Sequence, residues 1–247
     1  MRCPKCGSEQ IGEPVLCDLC GIVFEKYARR QLGREAVLAG ERALPAAPAR
    51  FDPAGLLLGR PTDGLALAGR ALLCAFLCVW GFRLMRSPIE TNAVGESFLH
   101  LINLPFHEAG HVFFSPFGDF MHSLGGTLGQ LLMPLLCLGA LLFKTRDAFG
   151  ASVALWWFGE NFLDIAPYID DARDGQLPLL GGNYGETSPY GFHDWEYLLT
   201  ESGLLNHDHE LARRSQALGT AIMLAALAWG ALVLVRSWRL ARERVPR

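Results

Sequence analysis

Apolar residues are gathered into five blocks along this chain: about Leu65 to Phe82, Phe98 to Phe114, Leu124 to Phe143, Ala148 to Ile169 and Ala217 to Val235. Each comes close to the ~20 residues that a helix needs to cross the hydrocarbon core of a bilayer. The pattern predicts an α-helical polytopic membrane protein with about four to five membrane segments. Five full crossings would leave the termini on opposite sides. Yet Lys26, Arg29, Arg30, Arg34, Arg42 and Arg50 precede the first block and Arg236, Arg239, Arg242, Arg244 and Arg247 follow the last, which by the positive-inside bias puts both ends in the cytoplasm. Either one block is re-entrant or the bias misleads at one end. The Gly-rich, Pro-interrupted stretch Ser123 to Pro134 is the candidate for irregular backbone.

Composition sharpens this only a little. The chain has 247 residues, 51% of them hydrophobic, which gives room for one sizeable domain and a small module beside it. Its start, MRCPKC, lacks the apolar core of a secretory signal, so the first apolar block is expected to stay as an anchor. The expected location is a bacterial cytoplasmic membrane with the N-terminus in the cytoplasm. Four cysteines fall within the first twenty residues, whereas Cys74, Cys78 and Cys137 lie singly in apolar blocks, where a free thiol behaves as a small hydrophobe.

The four early cysteines form two pairs, Cys3-Pro-Lys-Cys6-Gly and Cys17-Asp-Leu-Cys20-Gly. A two-residue gap lets two thiolates of one tight turn reach the same ion, and the glycine that follows can take the positive φ of such a turn. The spacing points to structural zinc, and the pattern resembles the rubredoxin-like knuckles of zinc ribbons over residues 1–25. Two disulfides would suit an oxidising compartment better than a cytoplasmic start. So short a segment buries too little apolar surface to fold without its metal. Residues 26–64, basic and then rich in Ala and Pro, read as a linker. Its basic stretch from Lys26 to Arg34 is better explained by anionic lipid than by nucleic acid, which is not an expected partner. The ribbon is then free to engage a cytoplasmic protein.

The chemistry lies in Phe106-His107-Glu108-Ala109-Gly110-His111, inside the second block. Histidines four apart on a helix project from one face and can share one metal. In an HExxH arrangement the glutamate is no ligand; it moves a proton from water to the leaving amine. Ionisable residues in an apolar segment are costly unless they face a cavity, a partner or an ion. Histidines satisfied by backbone carbonyls in a bundle interior are the plainer alternative.

On His107, Glu108 and His111 the chain resembles the site-2 protease family of intramembrane zinc metalloproteases. The resemblance spans about Phe98 to Asp171 and is loose outside HEAGH. It implies zinc on His107 and His111, Glu108 as general base, and a third ligand, an aspartate, from a later helix. The family's later motif is an Asn-Pro stretch ending in Leu-Asp-Gly. Here the segment is Asn161-Phe-Leu-Asp164-Ile-Ala-Pro167, in which the Leu-Asp pair matches, the glycine is replaced by Ile165, and the proline follows the aspartate. Asp164 is the expected third ligand. Glu160 is the next candidate, Asn161 a holder of substrate backbone, and His193 or Asp194, in the polar interval 170–214, an alternative ligand or a partner behind the ligands.

The expected architecture is thus a ribbon (1–25), a linker (26–64), a transmembrane metallopeptidase-like domain (65–236) with the polar loop 170–214, and a basic tail (237–247). The expected function is zinc-dependent peptidase activity on a peptide bond in or near a membrane-embedded protein or peptide. A non-catalytic membrane protein that binds or senses zinc, with its ribbon on a cytoplasmic partner, is the second reading. A transporter would need polar residues in several blocks, and they are concentrated in two.

Overall fold

A computed structural model of the protein describes residues 1–12, 14–42, 53–59 and 62–243. The chain divides into two compact units, Met1–Phe51 and Asp52–Arg247.

In the first unit two antiparallel bridges, Arg2 with Glu9 and Leu16 with Val23, close a pair of knuckles. Gly7 and Gly21 each take positive φ directly after a cysteine pair, which a side chain would strain. Helix α1, Phe24–Arg42, follows at once and occupies the first half of the expected linker. It carries Glu25 and Arg29 one turn apart at 2.6 Å. Residues 43–52 and 60–61 of that linker lie outside the described residues.

The second unit is helical, and each of the five apolar blocks falls on one helix, the third running on from it into a π turn. These are α3 (Gly64–Met85), α4 (Phe98–Phe114), α5 (Asp119–Gly139), α6 (Ala148–Asp170) and α8 (Asp208–Glu243), joined by the short α2 (Pro53–Leu58) and α7 (Asp194–Glu201). Among the described residues three helices are long and apolar enough to cross a membrane: Gly64–Met85, Asp119–Thr145 and Leu205–Glu243. The other two differ in kind. Helix α4 has 17 residues with Pro105 inside it, and α6 carries Glu160, Asn161 and Asp164.

Lipid tails are as apolar as leucine, so helices in a membrane associate through close backbone approach and polar contacts. The α6 and α8 pair follows this rule. A Cβ on Gly159 would sit 2.9 Å from the Gly219 carbonyl oxygen, and one on Gly219 would meet the Gly159 oxygen. Around that crossing Trp156, Leu163, Met223 and Ala226 are buried with Leu77 and Leu84 of α3. Leu65, Leu72 and Val79 of α3 stay exposed, as a lipid-facing surface requires. Arg70 pairs with Asp147 at 3.2 Å, and Arg173 with the fully buried Asp208 at 2.7 Å.

The stretch Ser123 to Pro134, the candidate for irregular backbone, is regular α-helix within α5. Its glycines serve contact instead. A Cβ on Gly129 would strike the Phe106 carbonyl oxygen and one on Gly110 the Gly125 oxygen, so α4 and α5 touch backbone to backbone. After Gly139 the helix continues as a π turn, Ala140–Thr145, before α6.

Candidate metal centre

The close contact of α4 and α5 places the histidines. His107 and His111 project from one face of α4 with ring centroids 4.8 Å apart. Each has one ring nitrogen occupied: His107 Nδ1 lies 2.7 Å from Gln130 Oε1, and His111 Nδ1 lies 2.8 Å from the His122 carbonyl oxygen. Both partners are acceptors, so each Nδ1 carries the proton and each Nε2 is left as a lone-pair donor.

The two Nε2 atoms converge on a third group, Asp194 Oδ2, at 3.1 Å from His107 and 3.3 Å from His111. A tetrahedral ion with ligands at 2.0–2.1 Å has edges of about 3.3 Å, so the three donors fit one such ion. Gly126 forms the floor. A Cβ there would lie 2.6 Å from His111 Nε2 and closer still to His107 Nε2, so a side chain would crowd both donor atoms. His107, His111 and Asp194 form one of two groups that can hold a metal among the described residues.

Asp194 comes from outside the long apolar helices, at the first position of α7. Tyr168 and His193 hold it there. The Asp194 backbone N–H donates to the Tyr168 hydroxyl at 3.0 Å, and the His193 ring lies on the Tyr168 ring at 4.3 Å between centroids. His193 is 1% exposed; its Nδ1 accepts from the Glu196 N–H at 3.1 Å, and its Nε2 meets Asp171 at 3.3 Å. Asp171 also accepts from the backbone N–H groups of Gln176 and Leu177. His193 is therefore a clasp of the polar loop, with both nitrogens spent away from the metal position.

Asp164 stands apart from that group. Its oxygens meet His100 Nδ1 at 2.9 Å, Asn103 Nδ2 at 2.9 Å and Gln130 Nε2 at 3.5 Å. It reaches the centre through Gln130, whose amide oxygen takes the His107 proton. Glu160 lies deeper, fully buried, with one oxygen on Asn103 at 3.1 Å and the other without a hydrogen-bond partner. Asn161 is likewise fully buried and donates to the Trp157 carbonyl, with its own amide oxygen unpartnered. Of the residues singled out in the sequence, the fold brings together His107, His111 and Asp194, with Glu108 on the wall of the same cavity. That cavity measures about 710 Å³.

His100, Asn103 and His122 carried no weight in the sequence reading. A signal for the first two was present: His100, Asn103, His107 and His111 recur at steps of three, four and four, which marks one polar face along an otherwise apolar helix.

In the ribbon, Cys3 and Cys20 Sγ lie 3.7 Å apart, as do Cys6 and Cys17 Sγ. Tetrahedral zinc at 2.3 Å from sulfur requires edges of about 3.8 Å, so the four thiols fit it. The Ser8 hydroxyl, with the backbone N–H groups of Cys20 and Leu19, brings the Cys17 thiol down to about 6. His207 and His209 do not join a metal group: His209 pairs with Asp170 at 2.7 Å, and the exposed His207 lies 3.6 Å from Glu210.

No family model matches this chain, and neither the curated proteins nor the solved structures contain a match to it.

Proposed function

We propose that this protein is a zinc-dependent peptidase of the membrane, hydrolysing a peptide bond in or near a membrane-embedded substrate. The observation that carries the proposal is the convergence of His107 Nε2, His111 Nε2 and Asp194 Oδ2 beside Glu108 in one cavity. Three protein ligands leave a fourth position open, as hydrolytic centres require and closed structural sites lack. The residues present favour zinc, an ion of mixed nitrogen and oxygen preference that keeps tetrahedral geometry. When bound, zinc supplies a Lewis acid at the scissile carbonyl and a lowered pKa for water.

The chain's own residues do the rest. His107 and His111 are kept in the ligating tautomer by Gln130 and by the His122 carbonyl. Glu108 has no hydrogen bond or ion pair among the described residues, which frees it to take a proton from the attacking water and deliver it to the departing amine. The ligand set departs from what the site-2 protease resemblance implies, since Asp194 takes the place expected for Asp164. A zinc-binding or zinc-sensing protein without catalysis has no use for an unpaired carboxylate next to the first ligand. The ribbon, with its own zinc, is the element that would engage a cytoplasmic partner.

The test is Glu108→Gln compared with the unaltered protein in liposomes holding a candidate membrane substrate. Retained metal with a rate lower by about 10²-fold or more supports the proposal, and equal cleavage by both proteins refutes it.

A further inference from the structure

The cavity is one-sided in charge. Five carboxylates line it, Glu90, Glu96, Glu108, Asp164 and Asp194, while no lysine or arginine does so among the described residues. Three of the five have work to do: Asp194 faces the histidines, Asp164 meets His100 and Asn103, and Glu108 stands beside His107. Glu90 and Glu96 have none. Both are exposed, and neither side chain makes a hydrogen bond or ion pair among the described residues. A surface carboxylate is ordinarily met by water alone, and that suffices on a convex face. In a cleft with low-dielectric walls, charges of one sign focus the field instead and raise the local concentration of oppositely charged ligand.

A separate feature of the same cavity also calls for a ligand. Thr127, the residue after the Gly126 floor, is 6% exposed and lines the cavity, yet its hydroxyl oxygen has no hydrogen-bond partner. A helical threonine can bond the carbonyl one turn back, and a buried hydroxyl left unpaired is destabilising. The oxygen itself is buried, so a polar group entering the cavity would pair with it on a small shift of the wall.

From these two observations we infer that the substrate of this cavity is a cationic peptide segment, with a lysine, an arginine or a free N-terminal amine received by Glu90 and Glu96. The inference rests on the peptidase reading for the nature of the ligand. The apolar wall of Leu177 and Leu179 in the same cavity takes the uncharged part of such a segment. Acidic segments are disfavoured, because Glu90 and Glu96 repel them and, among the described residues, no lysine or arginine lines the cavity to meet them.

The experiment uses three fluorescent peptides, acetylated and amidated, identical except for a Lys, a Gln or a Glu beside the same apolar core. Their binding to full-length, zinc-supplemented Glu108→Gln protein in non-ionic detergent is read by fluorescence anisotropy. The expected order is Lys tighter than Gln tighter than Glu, with about tenfold or more between the extremes at low salt. That span is expected to shrink to about threefold in Glu90→Gln/Glu96→Gln, and to shrink on the unsubstituted cleft as salt rises. A flat or reversed order, no binding by any peptide, or a preference unchanged by the double substitution overturns the inference. All three peptides are then offered to protein with Glu108 intact. Charge-ordered binding without cleavage rejects the peptidase reading alone, whereas cleavage blind to charge rejects the substrate class alone.

Discussion

Asp194 and Asp164 are both buried aspartates within reach of the same centre, and they differ in what their oxygens touch. Asp194 Oδ2 faces the Nε2 atoms of His107 and His111, while Asp164 is spent on His100, Asn103 and the amide of Gln130. Asp194→Asn is therefore expected to release the metal from this centre. Asp164→Asn is expected to keep it with affinity lowered by ~10–100-fold, the usual effect of losing a partner behind a ligand. Competition with a fluorescent zinc chelator separates the two, and equal loss in both variants would return Asp164 to the ligand set. Gly126 gives a sharper test, because its missing side chain is the space between the imidazoles. Gly126→Ala is expected to abolish metal at this centre while the ribbon keeps its own, so that metal per chain measured by plasma emission falls by one equivalent.

The helices α4 and α5 form one working piece. Gly110, Gly125 and Gly129 allow backbone contact that sets His107 against Gln130 and His111 against the His122 carbonyl. Gly129→Val puts a branched side chain against the Phe106 carbonyl. It is expected to cost about 1–3 kcal/mol of stability and to weaken metal binding as well, since separating the helices removes the Gln130 contact. Thermal melting in detergent and metal content would be measured together, and unchanged values in both would show that α4 and α5 tolerate separation. HEAGH could be read directly, because i and i+4 on a helix are neighbours whatever the rest of the chain does. The glycine run could not be read in the same way. Glycine suits irregular backbone and close packing equally, and the choice depends on whether another backbone lies opposite.

The two metal groups belong to separate compact units, so loss of one is not expected to disturb the other. Cys17→Ser is expected to unfold the ribbon, whose folding depends on its metal, and to leave metal binding at His107, His111 and Asp194 unchanged. Metal content of Cys17→Ser, again by plasma emission, would fall by one equivalent, and loss of both equivalents would show that the units depend on each other.

Patterns that close within a few residues were legible from the chain: the CxxC knuckles, the HExxH pair and the five apolar blocks, each of which lies in a helix. Their physics is local, set by the turn, the helical period and the length that apolar composition imposes. The third member of the centre is different. Asp194 lies 87 residues from His107 and in a polar loop where several acids and histidines look alike. What singled it out was the clasp of His193 on Asp171 and the seat on Tyr168, contacts between segments far apart in sequence. In the same way Asp164, singled out by the Leu163-Asp164 pair, meets His100 and Asn103 and lies outside the group of His107, His111 and Asp194. Composition and spacing name the residue types a centre needs, but which carboxylate reaches the two imidazoles depends on how α4, α5, α6 and the loop before α7 are held in space.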